Sequence, residues 1–107
     1  RSPFFNLLTE TIASAIFLLA ILLIIAPTNS LGALDALPVA LLVLGVGLSL
    51  GGPTGYAINP ARDFGPRLAH ATLPIAGKGS SDWGYAWVPI IGPLLGAAIA
   101  ALVFKML

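Results

Sequence analysis

Residues 55–65 read GYAINPARDFG, and they decide the fold because they place an arginine and an aspartate between strongly apolar segments. Asn59 followed by Pro60 predicts a helix start, since an asparagine side chain can cap free N–H groups and proline suits the first helical position. The preceding residues, GGPTG at 51–55, favour irregular backbone. We therefore predict a helix that begins within apolar surroundings and next to a pore.

The composition indicates a membrane protein. Of the 107 residues, 58% are hydrophobic and only 8% are charged, and the mean hydropathy is +1.01. A net charge of +1 without a basic run argues against a nucleic-acid partner and against a polybasic lipid anchor. The chain has no cysteine, which excludes disulfides and thiolate metal sites. It starts with neither a methionine nor a signal peptide, so we interpret it as the downstream part of a longer chain.

Three segments are long and apolar enough to cross a bilayer, which takes about 20 residues. We predict spans at about 7–26, 34–52 and 86–104, with a turn at 27–32 between the first two. The second span should end at the Gly-Gly-Pro cluster of residues 51–53, because glycine suits a helix end and proline cannot continue the ladder. In the third span, Gly92 and Gly96 form a GxxxG pair, a spacing that favours tight helix contact.

The helix that starts at Pro60 is too short to span. If it ends at His70 it is about 16 Å long at ~1.5 Å per residue, or half a membrane. Residues 71–84 have the composition of an aqueous loop, and Trp83, Tyr85 and Trp87 suit the membrane interface where the chain returns. Irregular backbone at membrane depth must be buried in protein or line a cavity, and many channels achieve this with two inverted repeats. We predict an all-α membrane protein with three transmembrane helices and one re-entrant half-helix at 60–70, forming one such repeat.

Glu10, near the start of the first span, has two interpretations. It is either a carboxylate at the membrane interface or a buried carboxylate that accepts N–H groups from irregular backbone elsewhere, since an ionisable group within a span usually has a partner.

Residues 59–67, NPARDFGPR, resemble the second signature loop of the aquaporin superfamily, including its Asn-Pro-Ala (NPA) motif. The aquaglyceroporin or glycerol-facilitator branch fits best, because Asp63, Arg67, Pro89 and Ile90 match the residues that mark its solute-conducting members. Glu10 also falls where the family keeps a carboxylate behind this loop. The resemblance covers the whole chain as a C-terminal half. The first signature loop of the family is absent from this sequence.

The resemblance implies a set of pore residues and a set of supporting residues. The predicted pore residues are Gly55, Tyr56, Ala57, Ile58, Asn59 and Arg62. The predicted supporting residues are Pro60, Ala61, Asp63, Glu10, Arg67, Pro89 and Ile90. The chemistry of the pore residues fits this role, because carbonyls at 55–57 would accept hydrogen bonds from a solute and the Asn59 amide would donate them. The Tyr56 hydroxyl could narrow or polarise the constriction.

We therefore expect a passive channel for glycerol and similar small neutral solutes, and also for water, that excludes ions and protons. By resemblance it would be a homotetramer in the lipid bilayer of the cell membrane, with no cofactor, metal or catalytic residue. Alternatives are a water-selective aquaporin, a secondary transporter, or a non-conducting fragment that needs a missing N-terminal half.

Four ionisable residues also have simpler interpretations. Arg62 and Asp63 could form an interfacial ion pair, Arg67 could be a helix C-terminal cation, and His70 is expected to be a helix-end residue near water rather than a metal ligand.

Overall fold

The computed structural model describes residues 2–24, 30 and 32–107, and all regular elements within them are helical. The helices are α1 (Pro3–Ile24), α2 (Leu37–Thr54), α3 (Pro60–Thr72) and α4 (Val88–Met106). Short 3-10 turns at Gly32–Leu34 and Trp83–Tyr85 lead into α2 and α4. The three segments that contain α1, α2 and α4 are long and apolar enough to cross a membrane. The 13 residues of α3 are not, because they extend only about 20 Å. The predicted class, an all-α membrane protein, is confirmed.

The first and third long helices lie close to their predicted positions. Helix α1 begins at Pro3, four residues before the predicted start at residue 7, and α4 runs two residues beyond the predicted end at residue 104. The predicted end of the first span at residue 26 and the predicted turn residues Pro27, Thr28 and Asn29 lie outside the described residues. Of the same predicted turn, the Ser30 hydroxyl donates to the Asp35 carboxylate at 2.7 Å and accepts from the Gly32 N–H at 2.9 Å.

The predicted end of the second span at the 51–53 cluster is wrong. Helix α2 continues to Thr54 with Pro53 inside its last turn. The helix ends one residue later because Gly55 adopts a left-handed conformation (φ 74°) and its N–H donates to the Gly51 carbonyl at 2.7 Å. Proline removes only its own N–H from the ladder, whereas a left-handed glycine turns the chain away from the axis. Irregular backbone therefore starts at Gly55 and not at Gly51.

Helix α3 is also longer than predicted, since it ends at Thr72 rather than at His70. The Leu73 N–H donates to the Ala69 carbonyl at 2.9 Å and closes the last turn. Pro66 lies inside the helix without ending it. Residues 71 and 72 therefore belong to the half-helix, and the loop that was predicted to begin at residue 71 begins at Leu73.

The most extensive helix contact joins α1 to α4, the first and the last helices of the chain. A Cβ atom added at Gly92 would lie 2.6 Å from Cβ of Glu10, and one added at Gly96 would lie 2.5 Å from the Thr11 carbonyl oxygen. Both distances are too short for a side chain. The GxxxG pair thus brings the α4 backbone directly against α1, as the sequence predicted.

Ile58, two residues before the start of α3, is buried where three segments meet. Ala13 of α1, Val46 of α2 and Ile58 form a buried apolar cluster. Much of the remaining apolar surface is open, and Leu48 of α2 is 80% exposed. This cluster fixes residues 55–59, which we call the pore loop, against the first two helices.

Candidate pore-lining site

The pore loop has an unusual backbone. Gly55, Tyr56 and Ile58 all have positive φ, at 74°, 43° and 43°. A left-handed conformation costs an L-residue about 1–2 kcal/mol, and for a β-branched residue such as Ile58 it is rare. Strain of this kind persists only where the surrounding structure supports it.

Glu10 supplies that support. Its side chain is fully buried, with 0% exposure. One carboxylate oxygen, Oε1, accepts the Ala57 N–H at 3.0 Å, and the other, Oε2, accepts the Ile58 N–H at 2.7 Å. Hydrogen bonds to an ionised acceptor are roughly twice as strong as neutral ones. The interpretation of Glu10 as an interfacial carboxylate is therefore wrong, and the interpretation as a buried acceptor of backbone N–H groups is confirmed.

The carbonyl groups of the pore loop are left available. With the N–H groups of Ala57 and Ile58 turned to Glu10, no donor within residues 2–24, 30 and 32–107 binds the carbonyls of Gly55, Tyr56 or Ala57. A backbone carbonyl is an obligatory acceptor that needs water or another donor. This loop can therefore offer three successive acceptors to a passing molecule.

Asn59 starts α3 as the sequence predicted. Its backbone is extended (φ −157°), and its side-chain oxygen accepts the Ala61 N–H at 2.8 Å, with Pro60 at the first helical position. Because the oxygen is used in the cap, the amide nitrogen keeps its two N–H donors for other partners. The residue is exposed, so these donors are accessible.

Tyr56 lies between Arg62 and the glycine face of α2. The guanidinium carbon of Arg62 is 5.2 Å from the centroid of the tyrosine ring, a cation–π distance. On the other side, a Cβ at Gly51 would lie 2.7 Å from a ring carbon of Tyr56, and one at Gly47 would lie 3.1 Å from another. Sequence reasoning did not connect Gly47 and Gly51 with the Tyr56 ring. The available signal was the four-residue spacing, which puts Gly47 and Gly51 on one face.

An open, largely apolar cavity of about 310 Å³ lies beside this ring. It is lined by Val43, Leu44, Gly47, Leu48 and Tyr56. Tyr56 is the loop residue in this lining, so the cavity lies against the ring of Tyr56.

Asp63 pairs with Arg67 and not with its neighbour Arg62. The Arg67 Nε and Nη2 atoms each donate to one oxygen of the Asp63 carboxylate, both at 2.7 Å. The third nitrogen, Nη1, donates to the backbone carbonyls of Ser81 at 2.6 Å and Asp82 at 2.8 Å. The interpretation of Arg62 and Asp63 as an interfacial ion pair is therefore wrong. Arg67 ties α3 to the loop that follows it, so its role as a helix C-terminal cation is also wrong.

The C-terminal end of α3 is capped by Lys78, a residue that the sequence interpretation did not single out. The ammonium group donates to the carbonyls of His70, Ala71 and Leu73 at 2.9, 2.9 and 2.7 Å. The ring of His70 is 2.9 Å from the Ser81 hydroxyl, so the histidine lies at the helix end as expected. Helix ends attract cations, but a lysine several residues beyond a helix gives only a weak sequence signal.

A second cavity, of about 340 Å³, opens between α3 and the loop that follows it. It is lined by Arg62, Asp63, Pro66, Arg67, His70, Ser80, Ser81 and Asp82. In the described part of the chain, no group of three or more His, Asp or Glu side chains is placed to hold a metal ion.

Comparison with known proteins identifies the family. The family model for the major intrinsic proteins matches residues 3–104. The chain belongs to the major intrinsic protein family. Membership of this family agrees with the expectation of an integral membrane transport protein rather than an enzyme. No solved structure gives a match.

Several curated major intrinsic proteins are similar over nearly the whole chain. It is 51% identical over 107 residues to glycerol uptake facilitator protein 3 of Lactiplantibacillus plantarum, covering 100% of this chain and 44% of the relative. It is 59% identical over 102 residues to a probable glycerol uptake facilitator protein of Thermotoga maritima, covering 95% and 43%. Against the glycerol uptake facilitator protein of Bacillus subtilis the identity is 54% over 102 residues, covering 95% and 37%. The chain thus spans about two fifths of the length of these relatives.

Pro89 and Ile90, which the resemblance includes among the supporting residues, lie at the start of α4. Pro89 is fully buried in the first turn of α4, and Ile90, beside it, is partly buried. The hydrogen bonds, ion pairs and ring contacts of the described residues join neither one to Tyr56 or Arg62. Hydrogen bonds and a ring contact therefore join Glu10, the pore loop and Arg62, and Pro89 lies three residues before the Gly92 that packs against Glu10.

The predicted interfacial aromatic residues have different contacts. The Tyr85 hydroxyl accepts a hydrogen bond from the Asn6 side chain at 2.9 Å, which links the start of α1 to the start of α4. Trp83 meets Phe64 of α3 edge to face, with ring centroids 6.0 Å apart. Trp83 and Trp87 remain 47% and 44% exposed, a degree of exposure typical of residues at a membrane interface.

Proposed function

We propose that this chain is the C-terminal repeat of a passive channel for glycerol and similar small neutral solutes, which also passes water and excludes ions and protons. The observation that carries the proposal is the pore loop, in which Glu10 binds the N–H groups of Ala57 and Ile58 and leaves the neighbouring carbonyls without a donor. The names of the similar proteins, glycerol uptake facilitators, support the choice of solute.

A polyol suits this surface because it needs acceptors, donors and apolar contact together. Its hydroxyl groups donate to the carbonyls of residues 55–57 and accept from the amide of Asn59, which replaces part of its hydration shell. Its carbon backbone packs against the apolar wall formed by Val43, Leu44 and Leu48 beside the Tyr56 ring. The polar groups of the loop therefore bind the hydroxyl side of a molecule such as glycerol, and the apolar side chains contact its carbon side.

Ion exclusion follows from the charges near the N-terminal end of α3. Arg62 presents a fixed positive charge, and the first turn of a helix adds about half an elementary charge of the same sign. Together they oppose the entry of cations and protons. Anions would have to lose their hydration shell against a row of carbonyl oxygens, which is unfavourable.

A second repeat has to complete the pore. One half-helix and one pore loop form only one wall, and polar backbone at membrane depth has to be enclosed by protein. The chain covers 44%, 43% and 37% of three relatives, which leaves room for an inverted repeat with its own half-helix. We propose that the complete protein is a homotetramer in the cell membrane, in contact with lipid through the exposed apolar faces of its helices.

Swelling of vesicles in a glycerol gradient tests this proposal. The complete polypeptide that contains this chain is reconstituted into liposomes and compared with empty liposomes of the same lipid composition. We expect glycerol entry well above the empty-vesicle rate and no dependence on a proton or sodium gradient. A glycerol permeability equal to that of empty vesicles would falsify the proposal, and gradient-dependent accumulation would show a secondary transporter instead.

A water-selective channel is the second candidate, favoured by the 5.2 Å contact of Arg62 with the Tyr56 ring, which can narrow the constriction. The same vesicles distinguish the two functions. Fast water efflux in sucrose without glycerol entry would establish the second candidate. Reconstitution of residues 1–107 alone gives a further comparison, since we expect no permeability until the other repeat is added.

A further inference from the structure

The loop that follows α3 forms one side of the cavity that contains Arg62. Ser80, Ser81 and Asp82 line this cavity together with residues of α3. The three loop residues belong to no helix, so contacts with the rest of the chain have to fix their position. The placement of residues 73–82, which we call the cavity loop, therefore sets the width of the opening beside Arg62.

Lys78 folds the middle of the cavity loop onto α3. Its Nζ atom donates to the carbonyl oxygens of His70 and Ala71 at 2.9 Å each, and to that of Leu73 at 2.7 Å. The last carbonyls of a helix have no partner within the helix, and the helix dipole attracts a cation to them. A single ammonium group has three N–H donors, and here each of them has a carbonyl acceptor.

The backbone before Lys78 is shaped for this contact. Gly77 has a φ of 71°, a left-handed conformation that favours glycine. The Lys78 N–H donates to the Ile75 carbonyl at 3.3 Å, which closes a turn directly before the lysine. Residues 73–80 are all exposed, so apolar burial gives this part of the loop little support. The hydrogen bonds of Lys78 therefore carry much of its attachment to α3.

His70 connects the lysine contact to the cavity. Its carbonyl accepts from Lys78, and its ring Nδ1 lies 2.9 Å from the Ser81 hydroxyl. Ser81 lines the cavity, and its carbonyl also accepts from Arg67 at 2.6 Å. The cavity loop is thus attached to α3 twice, in its middle through Lys78 and at its end through Ser81.

We propose that Lys78 is a positioning residue for the selection of solutes by size, because its ammonium group holds the cavity loop against the end of α3 and keeps the opening beside Arg62 narrow. Without that group the loop keeps its attachment at Ser81, while residues 73–80 move away from α3 more often. The proposal rests on the proposed channel function for its consequence, since the width of the opening matters only if solutes pass Arg62.

Hydrogen exchange measures opening of the loop without relying on transport. In the complete polypeptide, exchange of the backbone N–H groups of residues 73–82 is followed by mass spectrometry. Because charge-assisted hydrogen bonds at an exposed site are lost in K78A, we expect these groups to exchange about fivefold faster. Exchange in the pore loop should not change. The matched control is K105A, which removes an exposed lysine at the end of α4 and should leave exchange in residues 73–82 unchanged.

Chemical rescue separates the ammonium group from the rest of the side chain. Propylammonium reproduces the part of lysine beyond Cβ, and its N–H groups can donate to the three carbonyls in K78A. Tetramethylammonium has the same charge but no N–H donor. Propylammonium alone should return exchange to the parent rate. Equal effects of the two cations, or no effect of either one, overturn the proposal. If K78A does not fold, K78M keeps the apolar stem without the ammonium group, and exchange as slow as in the parent overturns the proposal.

Permeability to two polyols gives the functional consequence. Entry of glycerol and of xylitol, a linear five-carbon polyol, is measured in vesicles that contain the complete polypeptide. K78A should raise the xylitol-to-glycerol permeability ratio on the order of fivefold and leave glycerol permeability within about twofold of the parent. Propylammonium should lower the ratio again.

Failure of this proposal and failure of the proposed function give different results. If the parent protein passes no glycerol, the proposed function fails, while the exchange rates still test whether Lys78 holds the cavity loop. If glycerol passes and the loop opens in K78A, but the xylitol-to-glycerol ratio stays the same or falls, the role of Lys78 in size selection is wrong.

Discussion

The two ends of α3 are held in opposite ways. At the N-terminal end a fully buried carboxylate, Glu10, binds two N–H groups of the pore loop. At the C-terminal end the cations Arg67 and Lys78 bind carbonyl groups of the loop and of the last turn. The Arg67 side chain is 12% exposed, whereas Lys78 is open to water. Salt and solvent weaken exposed charge interactions far more than buried ones. The buried contacts of Glu10 therefore fix the backbone geometry of the pore loop. The contacts of Arg67 and Lys78 fix the position of the loop that follows α3.

Removing the Glu10 carboxylate should have the largest effect on stability. In E10A, the N–H groups of Ala57 and Ile58 lose their acceptor, and left-handed Ile58 loses the hydrogen bond that holds it. Because each unpaired buried donor costs about 1–3 kcal/mol, we expect the free energy of unfolding to fall by about 3–5 kcal/mol and the pore to close. Unfolding in mixed micelles and vesicle swelling measure the two effects. E10Q keeps one acceptor oxygen and should lose roughly half as much; equal losses would contradict this account.

Adding a methyl group at Gly92, which packs against Glu10, should have the next largest effect on stability. A Cβ at Gly92 would meet Cβ of Glu10 at 2.6 Å, so G92A forces α4 away from α1. Overpacking of this kind costs about 1–3 kcal/mol. The matched control is G45A, because a Cβ at Gly45 meets nothing within 4 Å. Thermal unfolding in detergent should show a lower midpoint for G92A and an unchanged or higher midpoint for G45A.

Removing the N-cap of α3 should have a moderate effect. In N59A the Ala61 N–H loses its acceptor at 2.8 Å, and loss of an N-cap costs about 1 kcal/mol. N59D keeps the acceptor and should retain stability. It lacks the amide donors, however, so glycerol permeability should fall in both variants while stability falls only in N59A. Equal stability of N59A and the parent protein would show that the cap contributes nothing.

Removing the Lys78 ammonium group at the C-terminal end of α3 should have the smallest effect on stability. K78M removes three hydrogen bonds to carbonyls at the end of α3, but the lysine is exposed. We expect a loss below about 1 kcal/mol, which decreases further at high salt. K105M serves as the control for loss of a surface charge. If K78M lowered the free energy of unfolding as much as E10A does, the two ends of α3 would not differ in how strongly they are held.

The sequence predicted the parts of this fold that depend on local chemistry. Asn59 and Pro60 start α3 because cap and φ preference act within a few residues, and apolar length identifies the three spans. The buried role of Glu10 was one of two alternatives, since its partners lie 47 and 48 residues away. Local rules placed the end of α2 too early, because proline near a C-terminus removes only one bond and Gly55 decides where the chain turns.

The partners of the long side chains could not be predicted from local rules. Arg67 reaches carbonyls 14 and 15 residues away, and which carbonyls it meets depends on how the loop after α3 folds back. The same holds for the Tyr56 ring against Gly47 and Gly51, where the two small residues are visible in the sequence but the ring that fills their space is not.

The contact between α1 and α4 also has a consequence for synthesis in the cell. The hydrogen bond from Asn6 to Tyr85 spans 79 residues, and a ribosome adds about 5–20 residues per second. The first helix therefore enters the membrane roughly 4–16 s before the residues that cover it emerge. Until the pore loop emerges, 47 residues after Glu10, the carboxylate has neither that loop nor α4 around it and waits in or beside the insertion machinery. The insertion machinery has to hold α1 until α4 arrives. The time for which it can do so limits how slowly the chain can be translated without misassembly.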